Sequence, residues 1–250
     1  ANPPRDRWKR PGTRPAAETE AAFRDFEAFV RFMAAQPGVR FVTATDLVAI
    51  YADRATTHAF TRDDVVAIAR GVSREITFQR RDDYTISAAD AFGLLTQAMA
   101  EYVDRGAWAP TTPAIALDGP ARAFTASVGG TRSTTVAWPA FAQAVRDTAG
   151  YLKSARRVPD EIWIGAESLS PADFLATLAA VADTVAAGAK PPTSVERREG
   201  RFTADRLVAD DTAALWGWPI FPEGFHAPDL MALARLQAWT LKPAVHHDAR

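Results

Sequence analysis

The sequence predicts a helix-dominated α+β fold: two similar helix–hairpin–helix units preceded by an N-terminal helical segment. Three observations lead to it. Ile86-Ser87-Ala88-Ala89-Asp90 recurs as Leu169-Ser170-Pro171-Ala172-Asp173, with the two aspartates 83 residues apart (173 − 90). Trp138-Pro139-Ala140-Phe141 is echoed by Trp218-Pro219-Ile220-Phe221 at an interval of 80 (218 − 138). The apolar pattern also switches between a helical period and short alternation. A nearly constant interval of this size suggests a duplicated supersecondary unit. On this reading the chain divides into a helical segment over 1–55, a first unit over 56–137, and a second unit over 138–250 that adds a partial third.

Each element has its own local reason. Ala1 to Pro15 is basic and Pro-rich and reads as extended; without Met, Ala1 reads as a processed or trimmed end. Ala16 to Gln36 places Phe23, Phe26, Val30 and Met33 on one helical face, and Pro37-Gly38 stops it. Val39 to Thr43 reads as a short strand, with Thr45 capping a helix to about Tyr51. Thr61, with Asp64 three residues on, opens a helix to about Gly71. Glu75 to Ile86 alternates as a hairpin around an Arg80–Asp83 turn, and Ser87-x-x-Asp90 starts a helix striped by Phe92, Leu95, Met99 and Tyr102.

The second unit repeats this order. Trp138 to Lys153 is helical, with Pro139 suited to the first turn. Ile162-Trp163-Ile164 is a strand that turns through Gly165 and returns at Leu169, and Ser170-Pro171-x-Asp173 caps a helix with Phe174, Leu178, Val181 and Val185 inward. Ala187 to Thr193 is a loop, and Pro228 to Leu241 a last helix. Ala107–Thr135, with Ile115–Leu117 and Phe124–Val128 as short strands, and Thr193–Gly224 are the irregular segments where function would sit.

Composition narrows the function classes. The net charge of −1 gives no long-range pull on nucleic acid or an acidic bilayer. No stretch approaches the roughly 20 apolar residues of a membrane span. The absence of cysteine removes disulfides, thiolate catalysis and Cys-based zinc sites. The Ser-x-x-Asp pairs read as helix caps rather than as nucleophile and acid. Asp63-Asp64, Asp82-Asp83 and Asp210-Asp211 read as cap and turn residues, although paired carboxylates can also serve acid–base or metal chemistry. Glu223-x-x-His226-x-x-Asp229 is the one cluster with metal-like spacing, but Pro222 and Pro228 interrupt it. No nucleophile elbow, phosphate-binding loop, zinc-protease motif or dinucleotide fingerprint occurs. No catalytic residue, metal or cofactor is therefore assigned.

The seven tryptophans are the main functional signal. Indole faces stack on the apolar faces of sugar rings, and the indole N–H can bond a hydroxyl. Trp163 and Trp239, on a strand and a helix, read as core. Trp108, Trp216 and Trp218, in loops, are candidate ligand-binding residues together with Phe221 and His226.

Two resemblances add to this reading. Arg14-Pro15-Ala16 through Tyr51, with Pro37-Gly38-Val39-Arg40-Phe41-Val42-Thr43-Ala44 at its centre, resembles the closing helix, strand and helix of secreted bacterial polysaccharide deacetylase-like proteins. The family's Asp-Asp pair at a strand end and its His-x-x-x-His metal pair are not found in matching context. The resemblance thus implies the tail of a deacetylase-type barrel without its catalytic part. Val158-Pro159 with Ile162 and Ile164, followed by Leu169-Ser170-Pro171-Ala172-Asp173-Phe174-Leu175, resembles the pseudomurein-binding repeat, a small cell-wall-binding module. The earlier copy, Tyr84-Thr85-Ile86-Ser87 to Leu95, departs from it by lacking the proline before the strand. What this implies is recognition of a cell-wall polysaccharide, without the family's specificity.

The expectation is a non-catalytic, extracytoplasmic (secreted or periplasmic) accessory region that binds polysaccharide or cell-wall glycan and belongs to a deacetylase-like protein. A separate deacetylase-like barrel chain is a possible partner; nucleic acid and a membrane span are not. Two alternatives stand beside it: a hydrolase with an unrecognised site near Glu223, His226 and Asp229, and an interaction module whose apolar face docks a separate catalytic chain.

Overall fold

The protein is described by a computed structural model covering residues 2–125, 134–188 and 190–246. It is α+β, with seven α-helices and four two-stranded antiparallel sheets among the described residues. The chain separates into two compact units. The smaller comprises Ala1–Ala52, Asp210–Ala227 and His246–Arg250, the larger Asp53–Ala209 and Pro228–Val245.

The larger unit begins with β1 (Ala59–Thr61), α3 (Arg62–Arg74), the hairpin β2 (Gln79–Arg81) and β3 (Tyr84–Ile86), α4 (Ala88–Arg105) and β4 (Thr111–Pro113). It continues with β5 (Thr135–Ala137), α5 (Trp138–Ala155), the hairpin β6 (Ile162–Ile164) and β7 (Glu167–Leu169), α6 (Pro171–Ala186) and β8 (Ser194–Glu196), and ends with α7 (Pro228–Gln237) and a 3-10 turn over Ala238–Thr240. The strands preceding and following each helix–hairpin–helix pair with each other: Phe60 opposes Thr112, and Val136 opposes Val195. The local hairpins set Arg80 opposite Thr85 and Trp163 opposite Ser168.

Capping explains where the helices start. Thr61 and Ser87 each accept a hydrogen bond from the backbone N–H of the aspartate three residues on, and that carboxylate accepts one back from the cap's N–H, satisfying two otherwise orphaned donors. At α6 the exchange is one-sided. Ser170 accepts from the Asp173 N–H at 3.0 Å, but the Asp173 carboxylate accepts from the Gly200 N–H at 2.8 Å. The helix start thereby anchors a segment 27 residues downstream. Gly200 is required there, because a Cβ would lie 2.2 Å from the Ala172 backbone.

The core lies between the helices. α3 packs on α6, α4 on α5, and α4 also on α6. Phe92, Phe141 and Phe174 are fully buried, with Phe174 ring centroids 5.8 Å from Phe92 and 6.2 Å from Phe141. Trp239 joins this core and stacks on Phe202 at 4.7 Å. Fully burying one such side chain is worth about 1.5–3 kcal/mol.

The segment after β8 runs back to the first half. Ile76 bridges Phe202, and the Arg198 N–H donates to the Thr177 hydroxyl at 2.9 Å. The chain then closes over the start of α4. Lys242 reaches Asp90 at 2.7 Å and Asp53 at 2.6 Å, and the Thr85 hydroxyl donates to the Pro243 carbonyl.

The smaller unit holds α1 (Ala16–Ala34) and α2 (Ala44–Ile50). The residues Val39–Thr43, expected as a strand, form none, and the cap of α2 is Thr43 with Asp46 rather than Thr45. Without a neighbouring strand, an extended run has no ladder to enter. Ile115–Leu117 likewise forms no strand; the chain makes instead a single parallel bridge between Asp118 and Arg157. The other short strand expected there, Phe124–Val128, runs into residues 126–133, outside the described residues. No helix is long and apolar enough to cross a membrane among the described residues.

Candidate functional site

Of the candidate residues, Trp216, Phe221 and His226 are brought together in the smaller unit. The Trp216 ring meets Phe221 at 5.3 Å and Phe225 at 5.1 Å, and Trp8 meets the same two rings at 5.9 and 5.5 Å. All four contacts are edge-on, the arrangement that aromatic quadrupoles favour. Neither Trp8 nor Phe225 was expected from the sequence to belong to this group. Trp8 is the more distant in sequence, in a basic, Pro-rich stretch with no periodicity to mark it.

Asp211 organises one side of the cluster. Its carboxylate accepts from the Trp216 indole N–H at 2.6 Å and from the Ala227 N–H at 3.3 Å, with His226 Nδ1 at 3.6 Å. The Trp216 hydrogen bond first, and then the Ala227 amide and the His226 ring, hold its carboxyl below the usual range against a smaller opposing effect of burial. The Trp216 N–H is therefore occupied within the unit. Trp218 differs: its ring is 69% exposed and has no ring partner among the described residues.

Among the described residues of the smaller unit, the partners of His226 are Asp211, which its side chain contacts, and Asn2, to which its backbone N–H donates, rather than Glu223. Among the described residues no group of three or more His, Asp or Glu side chains is gathered to hold a metal ion.

The larger unit carries two further aromatic features. Trp163 was expected in the core and is 53% exposed, whereas Trp239 is buried as expected. The cause is strand alternation: Ile162 and Ile164 face inward, so the residue between them faces out. That signal was available in Ile-Trp-Ile itself.

Trp108 lies elsewhere, in an open cleft of about 680 Å³ lined also by Arg62, Tyr102, Pro110, Val185 and Lys190. Gly106, in the left-handed region at φ 69°, ends α4 and turns the chain into this wall. The β1–β4 pairing then brings Arg62 alongside, where its backbone N–H donates to the Pro110 carbonyl. Trp108 packs on Tyr102 at 5.7 Å, and its indole N–H is buried without an acceptor among the described residues.

The remaining acidic pairs take structural roles. Burial pushes the Asp64 carboxyl up, but the Thr61 hydroxyl, the Arg81 guanidinium and the Thr61 amide outweigh it and hold the group below the usual range. Asp82, with φ 49°, makes the turn between β2 and β3. Comparison of the chain with protein-family models, with curated proteins and with solved structures finds no match.

Proposed function

We propose that the chain is a non-catalytic accessory region that binds cell-wall or other polysaccharide, and that its two β–helix–hairpin–helix–β segments are copies of one unit. The observation that carries the binding role is two exposed tryptophans, Trp163 at 53% and Trp218 at 69%. Large apolar rings are costly to leave in water, and a flat indole is suited to the apolar face of a pyranose ring. The duplication rests on the matching order of elements and on the paired outer strands of each segment. Extracytoplasmic localisation follows from this ligand and is part of the same proposal.

The test is retention on insoluble peptidoglycan, chitin and plant cell-wall polysaccharide. Wild type is retained on at least one, and Trp163→Ala with Trp218→Ala reduces retention about tenfold or more, equivalent to ~1.4 kcal/mol. A folded sample retained on none overturns the reading.

A second reading is favoured by α1. Phe23, Phe26, Phe29 and Phe32 are each more than half exposed, and the helix buries no residue. Such a face suits docking of a deacetylase-like barrel. Titration with a deacetylase barrel lacking its closing helices tests this: binding that is abolished by Phe26→Asp supports it, and no binding by the wild type rejects it.

A further inference from the structure

We propose that the cleft beside Trp108 is a subsite for an acidic sugar, so that the polymer recognised carries carboxylated residues. The inference rests on the polysaccharide-binding reading and adds the chemical class of the ligand.

Three observations carry it. The first is an unpaired donor. The Trp108 indole N–H is buried and has no acceptor among the described residues, in a wall that borders an open cleft. Buried polar groups are nearly always hydrogen-bonded, and leaving one unpaired costs about 1–3 kcal/mol. A sugar hydroxyl or carboxylate drawn to this wall would supply the missing acceptor after a small shift of the ring.

The second is charge. Among the described residues, Arg62 and Lys190 are the charged side chains lining the cleft and no carboxylate lines it. The Arg62 guanidinium donates to the Ala186 carbonyl at the end of α6, a neutral group, and Lys190 makes no ion pair among the described residues. The ends of α4 and α6 lie at the cleft, and each helix C-terminus carries about half a negative charge. Two full positive charges against roughly one unit of partial negative charge leave about one positive charge. That balance fits a singly charged ligand group and not a dense polyphosphate.

The third is shape. Tyr102 and Trp108 form an aromatic wall, Pro110, Val185 and Pro191 supply apolar surface, and the volume lies in the range of about 300–1,000 Å³ usual for small-ligand sites. An aromatic wall beside a cation provides both contacts a uronic acid needs: stacking for the ring and a charge for its carboxylate.

Calorimetric titration with oligogalacturonate, a neutral cello-oligosaccharide of equal length and free galacturonate tests the proposal. The acidic oligomer is expected to bind about tenfold tighter than the neutral one, a difference of ~1.4 kcal/mol. The margin should shrink with added salt, since exposed charges are screened. Lys190→Gln, at an exposed position, should remove the preference for the acidic oligomer. Trp108→Phe, which keeps an aromatic ring against Tyr102 but deletes the N–H, should weaken both oligomers while far-ultraviolet circular dichroism stays unchanged. Should Trp108→Phe unfold the protein, the Lys190→Gln comparison decides alone. Equal affinity for acidic and neutral oligomers, or a preference that survives Lys190→Gln, overturns the proposal. Free galacturonate binding as tightly as the oligomer overturns the polymer as its source. A wild type retained on insoluble polysaccharide but showing no acidic preference defeats this inference alone, whereas a wild type retained on none defeats the binding reading beneath it.

Discussion

At the scale of single residues, the most informative contacts are the helix caps. Thr61→Ala and Ser87→Ala should each cost about 1 kcal/mol, read by urea unfolding, because each leaves an N-terminal donor unsatisfied. Asp64 adds a pH dependence. Its carboxyl is held below the unfolded value of about 3.9, so its contribution is fully present above that pH and is lost as pH falls through the lowered folded value. Asp64→Asn should therefore destabilise at pH 7, and the gap from wild type should close in acid; a gap that is unchanged at pH 2.5 contradicts the assignment. The Thr61 and Ser87 caps were readable because both partners lie within four residues. The fate of the Asp173 carboxylate was not, since its partner, the Gly200 N–H, arrives only through tertiary structure. Gly200→Ala should lower Tm by several degrees, as its Cβ would strike the backbone of Ala172 and insertion of bulk into a packed site costs about 1–3 kcal/mol.

At the scale of elements, period served well where one face met a core and poorly where it did not. The helices α4 and α6 stand where their apolar stripes placed them, α5 starts where Pro139 suited a first turn, and the inward residues of all three are buried. α1 has the same kind of stripe, yet Phe23 and Phe26 remain 67% and 63% exposed. An amphipathic pattern specifies that a face should be covered and does not specify by what. Replacing Phe23 and Phe26 with Ser should leave the unfolding of the larger unit unchanged in a denaturant titration. Loss of the larger unit's stability would mean that α1 supports it. The outer strands β1, β4, β5 and β8 escaped notice for a different reason. Three residues such as Thr111-Thr112-Pro113 are too few to show alternation, and their partners lie beyond an intervening helix–hairpin–helix.

At the scale of the whole molecule, stability in the larger unit depends on contacts that are distant in sequence. Phe174→Ala should cost about 3–5 kcal/mol, as expected for an aromatic ring deleted between two others in a fully packed core. Lys242→Met should cost about 2 kcal/mol or more, because it leaves the nearly buried Asp90 carboxylate without its cation. Both are read by denaturant unfolding, and a neutral Lys242→Met would show that the closing segment merely rests on α4. The candidate site divides along the same line. Trp216, Phe221 and His226 were legible as a group because they are neighbours in sequence. Trp8 and the cleft around Trp108 were not, because the former joins from the start of the chain and the latter is assembled from the ends of three helices.

The closure of α4 by Lys242 also bears on how the protein is made. The two residues are 152 positions apart, so at about 5–20 residues per second a ribosome exposes Asp90 on the order of ten seconds before its counter-ion has been synthesised. The returning segment that brings Phe202 to Ile76 is late by a similar interval. Until then the Asp90 carboxylate has its helix cap, the Ser87 N–H, but not its counter-ion.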